Sequence, residues 1–371
     1  MKVCWLYDVI VIGSGPAGCA ASKKCAELGL RTLMVDRRLE IGAPLRDFEI
    51  VSRDGLQSLG INIEKHWLDL SFRKIRIIFG NARSTVILDD MEICSIEADK
   101  FEKHIAALSS RAGADIMIKT EAVSFVIEGG KISGVRLRSG NAENEEKCGI
   151  VIFAGGVDSP ILHGIPELVY SEDKVVARTL QRRVVADFGK LDSIDLYSGD
   201  DLRYIFAVIP KGDNLANVVL VSRDVSIDAV RYMSDFIDNV LKLKKWGSLQ
   251  DVSSEVHSGK IPQKLGVPGL ILAGDSTGIN CDNWVMGIEN AYSSGVWAAE
   301  AAKKMIENGV YDELSEYRKK IMEVTGHIGG CNFKEKLDKL DADALRSRLT
   351  ASGTLHFQMH GSLLDILDKF L

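Results

Sequence analysis

Residues 7–36 read YDVIVIGSGPAGCAASKKCAELGLRTLMVD, and this stretch decides the fold of the N-terminal part of the chain. The continuous apolar run that ends at Ile12 is typical of a buried parallel strand. The segment that follows has helical composition and ends at Gly29, a residue type that commonly caps helix C-termini. A second apolar run ends at Asp36. The stretch therefore predicts a strand–helix–strand unit of Rossmann type.

The turn between the first strand and the helix has the sequence Gly13-Ser14-Gly15-Pro16-Ala17-Gly18. This G-x-G-x-x-G pattern lets backbone N–H groups approach a pyrophosphate, and the helix N-terminus adds its positive dipole end. Asp36 stands at the end of the next strand, where a carboxylate accepts hydrogen bonds from ribose hydroxyls. We expect these residues and the adjacent Arg37 to contact a dinucleotide. The pattern alone serves NAD and FAD alike.

A second glycine-containing region, LILAGDSTG at residues 270–278, favours FAD. A buried strand again runs into a turn, here Gly274-Asp275, in the order found late in FAD enzymes of the hydroxylase type. In those enzymes the aspartate binds the ribityl chain. Gly287-Ile288 then open a helix rich in small residues, which suit close packing under a flat ring. These four residues complete the expected FAD contacts of the late part of the chain.

Composition excludes several classes of protein. The 371 residues carry a formal net charge of −6 without a basic run, so nucleic acid is not an expected partner. The seven cysteines contain no CxxC pair, which argues against a disulfide framework or a zinc site and favours a reducing compartment. No metal is expected. No stretch reaches the roughly 18 apolar residues of a spanning helix. We therefore expect a cytoplasmic protein, compatible with peripheral membrane contact.

The alternation of strand and helix patterns predicts an α/β protein. Its Rossmann-type FAD-binding domain carries an inserted, mainly antiparallel sheet as a substrate domain, and its C-terminus is helical. The assigned boundaries are residues 1–60, 93–165 and 255–310 for the FAD-binding domain, 61–92 and 166–254 for the substrate domain, and 311–371 for the helical C-terminal region.

Several local expectations accompany this division. Helices are expected over residues 99–113 and 230–243, where apolar residues recur at helical spacing. Residues 41–90 read as irregular apart from a strand at 75–79, and residues 141–147 (NAENEEK) read as a polar loop.

Ile41–Ile61, IGAPLRDFEIVSRDGLQSLGI, resembles the segment after the first strand–helix–strand unit of geranylgeranyl reductases. These flavoproteins saturate isoprenoid chains, including those of digeranylgeranyl-glycerophospholipids. The resemblance continues through most of the chain, at residues 99–122, 150–159, 205–218 and 270–299. It implies a fold like that of para-hydroxybenzoate hydroxylase and hydride transfer from reduced FAD to an isoprenoid C=C bond. It also implies FAD contacts from Arg46 and Ala122.

The implied substrate offers little to hydrogen-bond, so apolar side chains must bind it. The candidates for tunnel lining, each of which also fits ordinary strand core, are Tyr204, Phe206, Val208, Ile209 and Trp284. Water or Tyr204 would supply the proton.

Cys281, just past the Gly-Asp turn, is either redox-active or a buried free thiol. The electron donor, NAD(P)H or a ferredoxin, stays open.

The chain departs from the family near the reactive ring. Asp47 replaces a cysteine, Ala98 an arginine and Gly155 an acid, while Trp284 and Met286 stand where glycines are expected. A different substrate, a differently positioned flavin or a weakened cofactor site would each fit these changes. Two rival functions therefore remain. One is an FAD monooxygenase acting on an apolar or aromatic substrate, and the other is a degenerate, non-catalytic paralogue that binds FAD or lipid.

Overall fold

The computed structural model describes residues 6–44, 49–157, 159–169, 171–199, 203–260, 262, 264–280, 287–325 and 342–357. Its helices are α1 (Pro16–Glu27), α2 (Arg53–Ser58), α3 (Ala98–Arg111), α4 (Ala229–Asp235), α5 (Gly287–Asn308), α6 (Ser315–Thr325) and α7 (Ala342–Ser352). A π-helical turn, Phe236–Val240, continues α4. Short 3-10 turns occupy Pro160–Gly164, Pro166–Leu168 and Gly274–Thr277.

The strands are short in the nucleotide-binding part and longer in the part that follows it. In chain order they are β1 (Val9–Ile12), β2 (Thr32–Val35), β3 (Ile50–Ser52), β4 (Leu68–Phe72), β5 (Lys74–Phe79), β6 (Ala82–Leu88), β7 (Ile93–Ile96), β8 (Asp115–Met117), β9 (Glu121–Glu128), β10 (Lys131–Ser139), β11 (Ala142–Lys147), β12 (Ile150–Phe153), β13 (Ser171–Ala186), β14 (Ile194–Ser198), β15 (Tyr204–Gly212), β16 (Leu215–Ser222), β17 (Trp246–Lys260), β18 (Gly266–Val267), β19 (Leu270–Leu272) and β20 (Thr354–Phe357).

A six-stranded sheet in the order β18-β19-β12-β1-β2-β8 forms the nucleotide-binding unit. Its strands are parallel except at the β18–β19 edge. The central strand β1 is buried along its whole length because helices α1, α3 and α5 cover one face and the β9–β11 sheet covers the other. The predicted Rossmann-type domain and the α/β class are therefore confirmed.

A second, eight-stranded sheet has the order β17-β13-β16-β15-β14-β5-β6-β20. Its β17 to β14 part is antiparallel, as are β5 and β6, while β14–β5 and β6–β20 pair in parallel. Helix α4 and its π-helical turn cover one face of this sheet. A small sheet, β3-β7-β4, lies between the other face and the nucleotide-binding unit, where the Ser95 hydroxyl donates to the Pro210 carbonyl at 2.7 Å.

Three local predictions were wrong. The stretch 41–90 is mostly regular, because β5 and β6 pair as a hairpin with alternating burial. Residues 141–147 are mainly strand, since β11 adds an exposed, polar edge to β10. The C-terminal region contains a strand besides its helices, because β20 pairs with the outer edge of β6.

Candidate cofactor site

Glycine is required at two positions of the turn between β1 and α1. Gly13 has φ +102°, and a Cβ there would lie 2.4 Å from the Ala154 carbonyl oxygen. A Cβ on Gly18 would lie 1.8 Å from the Gly13 carbonyl oxygen. The first turn of α1 has neither a side-chain cap at Gly15 nor an acidic residue. Its N–H groups are therefore available to a phosphate, as the motif predicts.

A cavity of about 620 Å³ opens at the carboxyl ends of β1 and β2. Gly13, Gly15, Asp36, Arg37 and Ala122, all predicted cofactor contacts, line it. This is the position at which a Rossmann sheet binds the phosphates and ribose of a dinucleotide. The structure thus brings together residues that the sequence places more than a hundred positions apart.

The acid of this cavity is already part of an ionic cluster. Asp36 Oδ2 accepts from the backbone N–H and the hydroxyl of Ser14, both at 2.7 Å, and Oδ1 accepts from the Arg38 N–H at 2.8 Å. The Arg38 guanidinium also contacts Glu102 at 2.9 Å. Burial opposes ionisation of Asp36, but the Arg38 N–H, its guanidinium and the Ser14 hydroxyl outweigh burial and lower the pKa of this carboxyl.

Arg38 was not among the predicted contacts. The sequence offered one indication, a second basic residue directly after Asp36 and Arg37. Its buried partner Glu102 lies 64 residues away on α3, so sequence spacing gave no sign of the pair. Because Arg38 offsets the charge of Asp36, the carboxylate stays ionised at the edge of a cavity that would receive phosphates.

The second glycine turn packs against the first. Gly274 has φ +70°, and a Cβ there would lie 2.9 Å from Ala17 Cβ. Asn280 donates from Nδ2 to Asp275 Oδ1 at 2.8 Å and to the Gly287 carbonyl at 2.9 Å. This one side chain links the predicted ribityl contact Asp275 to the start of α5. Asn280 was not predicted, because nothing in its neighbourhood distinguishes it from a turn residue.

A buried carboxyl group, also unpredicted, lies in the first turn of α5. Glu289 is 3% exposed, and its Oε1 accepts from the Ser52 N–H at 2.5 Å. Its second oxygen, Oε2, has no hydrogen-bond partner among the described residues. Burial raises the pKa of Glu289 to about 7. Next to Glu289, the predicted ring-side contacts Gly287 and Ile288 are the first two residues of α5, and both are half-buried.

The structure separates the predicted substrate residues onto two faces of the large sheet. Tyr204 packs its ring on Tyr232 at 4.9 Å between centroids, and Phe206 stacks on Phe236 at 3.9 Å. Both therefore lie on the face covered by α4 and its π-helical turn, away from the nucleotide-binding unit. Side chains alternate along a strand, so both rings point away from the side on which FAD would bind. The roles of Tyr204 as a proton donor and of Phe206 as tunnel lining stay predictions.

Ile209 lies on the opposite face. It is paired with Asn217, whose side chain reaches Glu49 in the chain segment just before β3. Arg46, Asp47, Cys281, Trp284 and Met286 lie outside the described residues.

One departure from the family acquires a physical reason, and a second lies at the start of α3. A Cβ on Gly155 would lie 2.7 Å from the buried Phe153 ring, so no acid fits at this position while that ring is present. Ala98 begins α3, and its N–H donates to Glu49 Oε1 at 3.1 Å.

Within the described residues, no group of three or more His, Cys, Asp or Glu side chains could hold a metal ion. In the same ranges, no helix combines the length and the apolar character needed to cross a membrane.

A Rossmann sheet, an uncapped helix N-terminus beside a glycine turn and a late Gly-Asp turn packed against it define a flavoprotein that binds FAD. A family model described as "FAD binding domain" matches residues 6–232. The chain is 32% identical over 356 residues to the digeranylgeranylglycerophospholipid reductase of Thermoplasma acidophilum, covering 91% of this chain and 89% of that relative. The corresponding protein of Thermoplasma volcanium matches equally well, with the same identity and coverage. The chain belongs to the digeranylgeranylglycerophospholipid reductase family.

Solved structures agree with this assignment. A geranylgeranyl bacteriochlorophyll reductase-like protein from Thermoplasma acidophilum superposes with a TM-score of 0.84 at 29% identity, over 98% of this chain and 95% of that one. Aklavinone-11 hydroxylase, in a complex with FAD and aklavinone, superposes with a TM-score of 0.66 at 15% identity, over 82% of this chain and 64% of the hydroxylase. The second likeness concerns the fold alone.

Proposed function

We propose that this protein is an FAD-dependent reductase that saturates C=C bonds in the isoprenoid chains of a lipid. One observation carries the proposal. The identity to digeranylgeranylglycerophospholipid reductases extends over 91% of the chain, so it includes the eight-stranded sheet as well as the nucleotide-binding unit. A resemblance limited to the glycine motif would support cofactor binding without indicating the reaction.

The chain's own residues bind and orient the cofactor. The α1 N-terminus and the Gly13–Gly18 turn would hold the pyrophosphate, Asp36 would accept from the ribose, and Asp275, fixed by Asn280, would bind the ribityl chain. Reduced FAD, when bound, supplies a hydride for one carbon of the double bond. Water supplies the proton for the other carbon, since Tyr204 lies on the far face of the sheet. Apolar side chains on the Ile209 face would hold the substrate and exclude bulk water.

An anaerobic single-turnover experiment tests this function. Protein saturated with FAD is reduced with dithionite, and the visible flavin band is followed after addition of digeranylgeranyl glycerophospholipid. The expected result is return of the oxidised band together with a lipid mass gain of about 2 Da for each bond reduced, because each bond takes up one hydride and one proton. The fully saturated lipid is the control. A band that returns only when air is admitted would overturn the reductase proposal and favour the monooxygenase.

A lipid substrate also requires access to a membrane surface. We therefore include peripheral membrane contact of a cytoplasmic protein in the proposal. Co-sedimentation with vesicles of isoprenoid lipid tests the contact, and a protein that stays in the supernatant at low salt contradicts it.

A further inference from the structure

Glu49 is the centre of a buried ionic cluster at the junction of the two large sheets. Its side chain is 0% exposed. Glu49 Oε2 accepts from Arg183 Nη2 at 2.6 Å and from Asn217 Nδ2 at 2.5 Å, and Lys211 Nζ lies 3.4 Å away. Gln181 Nε2 donates to the same oxygen at 3.3 Å. These four partners come from three adjacent strands, β13, β15 and β16.

Two further carboxylates complete the cluster. Glu97 lies 3.0 Å from Arg183 and 3.6 Å from Lys211, and Asp69 lies 2.7 Å from Lys211. Lys211 Nζ also donates to the carbonyl of Ile96 at the end of β7. Removing one partner from such a cluster leaves a buried charge uncompensated, which is far more costly than breaking an exposed pair.

Glu49 also makes hydrogen bonds on the side that faces the nucleotide-binding unit. Its Oε1 accepts from the N–H of Ala98 in the first turn of α3, and its carbonyl accepts from the Ile96 N–H at 2.9 Å. Its backbone has φ +35°, a region that non-glycine residues occupy only when the surroundings impose it. One side chain therefore bonds to both units and holds a strained backbone.

The same helix turn supports the chain just upstream. A Cβ on Gly42 would lie 2.6 Å from Asp99 Cα, so only glycine allows this close approach to the start of α3. Pro44 then lines the cofactor cavity. The chain therefore contacts the start of α3 twice. The first contact, at Gly42, precedes the edge of the cavity, and the second is at Glu49.

We propose that Glu49 is a positioning residue that sets the eight-stranded sheet against the bound FAD. Asn217, one of its partners, stands opposite Ile209 in the β15–β16 pairing, so the substrate-facing side of the sheet moves with the Glu49 contact. The carboxylate acts through these contacts and takes no part in hydride or proton transfer. The inference depends on FAD binding and holds whichever substrate the sheet receives.

The test compares Glu49→Gln with Asp195→Asn in protein loaded with FAD. Asp195 is a suitable control because it is a buried acid of the same sheet, 4% exposed, and pairs with Arg76 at 2.5 Å. Its strand, β14, does not contact Glu49. Visible circular dichroism reports the surroundings of the flavin, and hydrogen exchange reports the amides of β3, β7 and Ala98. Should Glu49→Gln fold poorly, Arg183→Lys serves as a second variant, since it retains the positive charge beside Glu49.

Glu49→Gln is expected to keep FAD but to change its visible dichroism, and to raise exchange in β3, β7 and Ala98 by about tenfold or more, since the local opening loses its ionic partners. With a lipid substrate, kcat falls by about tenfold or more while KM changes little, because small misplacements mainly slow chemistry. Asp195→Asn leaves the dichroism and these exchange rates unchanged.

Unchanged dichroism and exchange in Glu49→Gln, or equal changes in Asp195→Asn, would overturn the proposal. Neither readout needs a substrate, so failure of the reductase activity would not be mistaken for failure of this inference.

Discussion

Replacing Glu289 by glutamine should make the protein more stable at pH 8 and leave it unchanged at pH 5. Burial raises the pKa of this carboxyl from the ordinary 4.5 to about 7 in the folded protein. A carboxyl with a raised folded pKa binds its proton more tightly when folded. Its stabilising contribution is therefore full below pH 4.5 and is lost as the pH rises through 7.

The size of the effect follows from the shift. Each pKa unit corresponds to about 1.4 kcal/mol. The raised pKa therefore lowers the free energy of unfolding by about 3 kcal/mol at pH 8 relative to a pH below 4.5. Glutamine keeps an acceptor for the Ser52 N–H and carries no charge, so it avoids this penalty. With an unfolding entropy of about 2.1 cal/mol/K per residue, a chain of 371 residues should gain roughly 4 °C in Tm.

Thermal unfolding of FAD-saturated protein between pH 5 and pH 8 measures the difference. Glu289→Ala is the matched control, because it removes the charge and also the acceptor of the Ser52 N–H, so its Tm should lie below that of Glu289→Gln at both pH values. A constant gap between wild type and Glu289→Gln at pH 5 and pH 8 would refute the reasoning. So would a lower Tm of the glutamine variant at pH 8.

Three further predictions concern the cofactor cavity. Gly13→Ala should reduce FAD affinity by about a hundredfold in a fluorescence titration, because φ +102° and the nearby Ala154 carbonyl leave no room for a Cβ. Arg38→Met should raise the pKa of Asp36, so that FAD affinity falls as the pH drops towards 5, a dependence absent from wild type. Gly155→Ala should lower Tm through contact with the Phe153 ring, and Phe153→Leu in the same chain should restore part of the loss.

One result would contradict each of these three predictions. Unchanged FAD affinity of the Gly13 variant would mean that the phosphates bind elsewhere. A flat pH profile of the Arg38 variant would mean that the Ser14 contacts alone keep Asp36 ionised. Additive losses in the Phe153/Gly155 double variant would mean that the two residues do not share space.

The sequence predicted the parts of the fold that depend on local chemistry. The turn from Gly13 to Gly18 and the acid at Asp36 could be identified because their spacing is fixed by the backbone around a pyrophosphate. The helix over Ala98–Arg111 was predicted within two residues because its apolar residues recur at helical spacing. These features need no knowledge of distant contacts.

The remaining features depend on long-range pairing. Glu49 meets its partners in the eight-stranded sheet across more than 130 residues, and Arg38 meets Glu102 across 64. The candidates within residues 204–209 read from the sequence as one tunnel lining. Their alternation along β15 instead separates Tyr204 and Phe206 from Ile209, and which face α4 covers depends on tertiary packing. The polar strand β11 became regular only through its pairing with β10, which its own composition does not reveal.

The late strand β20 has a consequence for biosynthesis. His356 contacts Asp89 across 267 residues, and between them the ribosome must produce almost three-quarters of the protein. At about 5 to 20 residues per second, the outer edge of β6 waits roughly 15 to 50 s for its final partner. During that time its unpaired N–H and C=O groups can recruit another nascent chain. Chaperone demand and the yield of overexpressed protein should therefore depend on translation speed between these two strands.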